Sequence, residues 1–114
     1  MVTGATGFVG PYLIKELAAA GEQVKALMRD GEKGADLVTE NVEIVIGDIT
    51  KPEMLVAAVA DVHTVYHLAA TFRSETLSEA EVNETNVAGT QNMLQAAETA
   101  GVSRFVHCLS LIHI

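Results

Sequence analysis

The stretch that most constrains the fold is the opening one, "MVTGATGFVGPYLIKELAAAG", in which Gly4, Gly7 and Gly10 stand between two apolar-flanked residues and a helical repeat. Val2 and Thr3 read as the end of a buried strand. Leu13, Leu17 and Ala20 recur at the spacing of one helix face, and Gly21 closes that helix as a C-terminal cap. Pro11 suits the first turn, where its missing N–H would have no intrahelical partner and its φ is already helical. Strand, glycine turn and helix start in succession aim unpaired N–H groups and a helix dipole at one spot, which attracts an anion, usually pyrophosphate. Gly4 then permits the tight turn, Gly7 admits a phosphate where a Cβ would stand, and Gly10 lets the helix pack closely. Thr6 adds a hydroxyl donor. Glycine spacing alone also suits a plain turn; its place between strand and helix favours the phosphate loop.

The rest of the 114 residues continues the alternation. "QVKALM" (23–28), "VEIVIG" (42–47), "TVYHLAA" (64–70) and "RFVHC" (104–108) read as strands. A short helix opens at Thr50, its expected N-cap, and Pro52, and runs through Val59. A long one spans about Ser78 to Ala100, with Val82, Gly89, Met93, Ala96 and Ala100 on one face. Such alternation implies parallel crossovers with helices on both faces: an α/β, doubly wound, Rossmann-like sheet of five strands in the order 3-2-1-4-5. No repeat, low-complexity linker or second domain interrupts it.

With 49% hydrophobic and 19% charged residues, the composition suits one soluble globular domain. A formal charge of -8 opposes nucleic acid and anionic membrane, so the expected partner is a small molecule. No apolar run approaches a span and no basic start leads into a signal segment, so a cytoplasmic protein is expected. Cys108 stands alone, which rules out an internal disulfide and fits a reducing compartment. His63 and His67 have an i, i+4 spacing, but a strand at His67 sets them about 13 Å apart. His107 reads as a strand residue, and no metal site is expected. The acidic stretch "SETLSEAEVNET" (74–85) reads as the solvated start of the long helix, where carboxylates favour the dipole.

"TGATGFVG" resembles the TGxxGxxG cofactor loop of the extended short-chain dehydrogenase/reductases, the family of sugar epimerases, dehydratases, dihydroflavonol-type reductases and hydroxysteroid dehydrogenases. "GDIT" (47–50) resembles the segment after its third strand, "YHLAA" (66–70) the end of its fourth, and "NVAGTQN" (86–92) the helix motif supporting its active site. These motifs lie in register from Thr3 to about Cys108. The resemblance implies a nicotinamide dinucleotide held by Gly4, Thr6, Gly7, Phe8, Val9 and Gly10, with Asp48 and Ile49 at the adenine and Leu68, Ala69 and Ala70 at the nicotinamide ribose. Asn86 either fixes nearby backbone carbonyls or reaches the cofactor through water. Asp48 either accepts from the adenine amino group or starts the loop to Thr50. NAD-specific relatives end the second strand with an acidic residue; here Met28 stands there and Arg29 follows. A guanidinium can pair bidentately with a 2′-phosphate and stack on adenine, which favours NADP over NAD, although a solvated arginine beside Asp30 would look the same.

The family's hydride transfer uses a tyrosine for the proton and a lysine four residues on. Tyr12 and Tyr66 are followed at that distance by Glu16 and Ala70, so no catalytic residue is assigned. In relatives the pair lies beyond the fifth strand. "LSLIHI" (109–114) matches all six residues of a translated transposase adapter used in DNA library preparation. It is expected to be a non-native tail on a partial NAD(P)-binding domain at residues 1–108, and Ser110 is therefore given no role. The expectation is a gene fragment, broken at both ends, marginally stable and binding cofactor weakly or not at all. Its parent would be a reductase, dehydratase or epimerase acting on a small hydroxyl or carbonyl metabolite, with homodimerisation left to the full-length protein. The alternative is a redox sensor of the same fold that binds NADP without catalysis.

Overall fold

In the computed structural model, which describes residues 1–71 and 76–109, the five strands are β1 (Val2–Thr3), β2 (Val24–Met28), β3 (Val42–Ile46), β4 (Thr64–His67) and β5 (Arg104–His107). All pairings are parallel, and the order is the expected β3-β2-β1-β4-β5. β4 ends three residues before the expected Ala70. The N–H groups of Leu68 and Ala69 leave the ladder and donate to Thr3 Oγ1, each at 3.1 Å.

Alternation along β2 builds two cores. Val24, Ala26 and Met28 face α1 (Gly10–Ala19) and join Val2, Ala5, Ile14 and Val42. Leu27 faces the other way, toward Leu55 of α2 (Leu55–Ala58), Met93 and Val65. On α1 the buried residues are Gly10 and Ile14; Leu13 and Leu17 are half-buried and Ala20, just past the helix, is exposed, so the apolar stripe is centred one residue on from the expected face. The helix stops as foreseen. Gly21 takes φ +86°, and the N–H groups of Gly21 and Glu22 return to the carbonyls of Ala18 and Leu17.

Two expectations need correction. Thr50 is not an N-cap: the short 3-10 turn Pro52–Met54 is preceded by Lys51, with no side-chain cap. Thr50 instead donates its N–H and hydroxyl to Asp48, at 2.9 and 2.7 Å. The long helix is three pieces: α3 (Glu79–Asn83), a π turn (Glu84–Ala88) and α4 (Gly89–Ala100). Ser78 and Glu81 close a reciprocal capping box at its start. Gly89, Met93 and Ala96 are buried as expected, Ala97 joins them, and Ala100 is exposed. Residues 74–75 of the acidic stretch, and 110–114 with Ser110, lie outside the described residues. Among the described residues no helix is long and apolar enough to cross a membrane.

Candidate functional site

Because all five strands are parallel, the segments after β1, β2, β3 and β4 meet at one edge of the sheet, where doubly wound folds bind ligands. The glycine turn is the first of them. Gly4 adopts φ +66°, and a Cβ there would sit 2.8 Å from Ala69 N and Leu68 C, so this backbone must be bare. Gly7 N–H donates to Gly4 O at 3.0 Å and closes the turn. A Cβ on Gly10 would run into Gly4 O and the Ala5 backbone, which makes Gly10 the point where helix and turn are pressed together. At Gly7 a Cβ would meet Gly4 O alone, at 3.3 Å. Val9 precedes α1 without any side-chain cap, so the helix's first N–H groups have no such partner. Phe8 is 87% exposed and its ring lies 6.2 Å from that of Tyr12.

After β2, Thr6, Met28, Arg29, Asp30 and Lys33 line a depression of about 380 Å³. Asp30 is committed elsewhere: its Oδ1 accepts from Glu32 N at 2.9 Å and caps the 3-10 segment Gly31–Leu37. That segment turns Lys33 back beside Arg29, a placement missed in the sequence because residues 31–37 carry no helical periodicity.

After β3, Asp48 makes the turn to Thr50. Burial works to raise its pKa, but the Thr50 N–H and hydroxyl, then the charges of Arg29 and Lys51, outweigh that and hold the carboxyl below its ordinary value. Ile49 is turned into the core, where a Cβ on Gly89 would strike its side chain, and its carbonyl accepts from Asn92 Nδ2 at 2.8 Å.

After β4, Leu68 and Ala69 are half-buried and Ala70 is exposed. Asn86, on the π turn, holds Thr71 by both backbone groups: Thr71 N–H donates to Oδ1 and Nδ2 donates to Thr71 O, each at 2.8 Å. Of the two roles open to Asn86 in the sequence, this is the backbone-fixing one. Thr90 and Asn92 of "NVAGTQN" also have partners. Thr90 donates to Asn86 O at 2.7 Å and meets His67 Nε2 at 3.0 Å.

His67 is fully buried and joins three elements. Its Nδ1 lies 2.8 Å from Thr3 Oγ1, which already accepts from Leu68 and Ala69. Two accepted bonds fill that oxygen's lone pairs, so its proton goes to Nδ1. Nε2 then carries the ring proton and donates to Thr90. Burial, and secondarily His107, pushes the His67 pKa down to about 4, consistent with a neutral ring. His63 is exposed and bonds Thr64 instead. Among the described residues no three His, Cys, Asp or Glu converge as metal ligands.

Comparison with known proteins places this geometry. A family model described as the NAD dependent epimerase/dehydratase family matches residues 1–112. The chain is 37% identical over 110 residues to sterol demethylase protein B of Methylococcus capsulatus, covering 96% of this chain and 34% of that protein. It is 35% identical to a 3-beta-hydroxysteroid dehydrogenase of Mycolicibacterium neoaurum, covering 96% and 31%. Among solved structures, gox2253 superposes with a TM-score of 0.82 at 36% identity, over 96% of this chain and 33% of that one. MoeE5 in complex with UDP-glucose and NAD gives 0.77 at 35% identity, over 93% and 34%. The chain thus spans about a third of the length of these relatives. Five parallel strands in this order, the glycine turn and the matched relatives together make the chain a member of the NAD dependent epimerase/dehydratase family.

Proposed function

We propose that residues 1–108 are the cofactor-binding part of an NADP-dependent oxidoreductase that moves hydride between the nicotinamide and a small hydroxyl or carbonyl metabolite. The observation that carries the NADP reading is the depression after β2, where Arg29 and Lys33 stand together while Asp30 is tied into a helix cap. An acidic side chain receiving ribose hydroxyls would mark NAD; two cations with Thr6 suit a 2′-phosphate. The glycine turn fits the pyrophosphate: Gly7 adds no Cβ to the loop, and the start of α1 has no side-chain cap. Asp48, kept ionised, is able to accept from an adenine amino group. Leu68 and Ala69 wall the nicotinamide end with small or half-buried groups. When bound, the nicotinamide supplies or accepts the hydride. No Tyr-x-x-x-Lys pair lies in these residues, so the proton-transfer group of the parent enzyme comes from elsewhere in its chain.

Relatives named as a hydroxysteroid dehydrogenase and solved with UDP-glucose and NAD support a secondary alcohol or its ketone as the reacting group. The test is an NMR titration, which reads even millimolar affinity. NADP should bind at least about 10-fold more tightly than NAD, and Arg29→Ala should abolish the difference, since charge-assisted bonds contribute about 1.5–3 kcal/mol. Equal affinities in the parent chain would refute the NADP reading. Sequencing the source DNA across the Cys108 codon tests the extent: continuation into Tyr-x-x-x-Lys supports an enzyme and a non-native 109–114 tail, and a frame that stops after Ile114 refutes both.

A further inference from the structure

We infer that His67 is a positioning residue for the Gly4 turn: its unprotonated Nδ1 accepts a hydrogen bond from the Thr3 hydroxyl, which leaves both Thr3 lone pairs to hold the Leu68 and Ala69 N–H groups against Gly4. Three facts converge on this. Thr3 and His67 are paired in register on adjacent strands, so their side chains leave the sheet on one face. Both are buried, 1% and 0% exposed, so water cannot substitute for either partner. The Leu68–Ala69 backbone passes so close to Gly4 that a Cβ would collide with it, so a shift of that backbone is felt at the turn.

The direction of the protons is what makes His67 more than a filler. A hydroxyl denied its acceptor rotates toward another carbonyl, because a buried unpaired O–H is costly, and rotation takes its lone pairs away from at least one of the two amides. Thr90 completes the arrangement by accepting a hydrogen bond from the Nε2–H group and donating its own hydroxyl to Asn86 O, which keeps Nδ1 bare. The side chains packed around His67 are Thr3 from β1, Thr90 from α4, and Phe105 and His107 from β5, with ring separations of 5.8 and 5.3 Å for the last two. Of these only His107 can titrate. The link to ligand binding rests on the cofactor-loop reading above; the local geometry does not.

The experiment is amide hydrogen exchange on the 114-residue chain, comparing His67→Asn with His67→Phe. Asn keeps an acceptor near the position of Nδ1, whereas Phe keeps the ring volume and loses both nitrogens. Positioning predicts that Leu68 and Ala69 amides exchange about 10-fold faster in His67→Phe and within about 3-fold of the parent in His67→Asn, with Ala26 on β2 as reference. A filler role predicts the opposite order, and that order would overturn the inference. Should either variant fail to fold, Thr3→Val against Thr3→Ser decides: only Ser retains the hydroxyl, and equal protection in the two would overturn it. NADP titration of the same proteins separates the readings. A parent without NADP affinity agrees with the weak or absent binding expected of the fragment and leaves the exchange order to decide positioning. An unchanged affinity in a His67→Phe protein with opened amides removes the link to the loop.

Discussion

Gly7 and Gly10 look alike in the sequence and differ in what a methyl group would meet. At Gly10 the obstacle is the backbone of Gly4 and Ala5, which cannot step aside, so Gly10→Ala should cost about 2–3 kcal/mol in urea unfolding. At Gly7 the only close atom is Gly4 O and φ is not left-handed, so Gly7→Ala should leave stability within about 1 kcal/mol and weaken NADP binding. His67 gives a second expectation. Its folded pKa of about 4 lies below the ordinary 6.5, so the unfolded chain binds more protons between those values. The stability it contributes is full above 6.5 and is lost as pH falls through 4. Between about pH 6 and 4.5, clear of most of the Met1 amine's own titration near 6, urea midpoints should fall by the equivalent of roughly 2 kcal/mol, and His67→Asn should flatten that slope. What was legible at this scale was local. The glycines announce themselves by spacing, but Thr3, His67 and Thr90 take their meaning from partners on other strands and helices, and Lys33 from a turn without periodicity.

Elements were legible wherever one face is apolar and both ends are punctuated. β2, β3 and β5 stand within one residue of their expected bounds, and Gly21 and Gly101 end their helices with positive φ. Reading fails where a side chain competes with the backbone. Thr50 before Pro52 looks like a cap, yet its hydroxyl bonds the Asp48 carboxylate two residues back. "YHLAA" looks like strand to its end, yet Thr3 draws the Leu68 and Ala69 amides out of the ladder. Nor does a repeat of three and four foretell the π turn at Glu84–Ala88, which carries Asn86 to Thr71 while α4 presents Thr90 to His67. The far end of the motif is the simplest to test. Asn92→Leu should cost about 1–2 kcal/mol by leaving the half-enclosed Ile49 carbonyl unpaired, whereas Gln91→Leu, on the exposed side of the same helix, should cost under about 0.5 kcal/mol.

Stability across the whole molecule follows from how its two cores are distributed over one sheet. β1 is only two residues long, but both are buried and it is flanked by β2 and β4, so the centre is covered on both faces. β5 is the edge beyond β4, and its faces are unequal. Phe105, in register with Val65, packs on the core beneath α2 and α4. Val106, in register with Tyr66 on the opposite face, stays 40% exposed, and Arg104 and His107 are exposed as well. An edge strand with one covered face loses less apolar burial on opening than a central strand does, so its amides should open locally at lower free energy. Native-state hydrogen exchange should therefore show the amides of Val106 in β5 and of Cys108 just after it exchanging at least about 100-fold faster than Ala26 and Leu27 on β2, and converging with them only near the denaturation midpoint. Equal protection at β5 and β2 under native conditions would mean that the sheet opens as one cooperative unit, and that the bare face of β5 does not limit the stability of the chain.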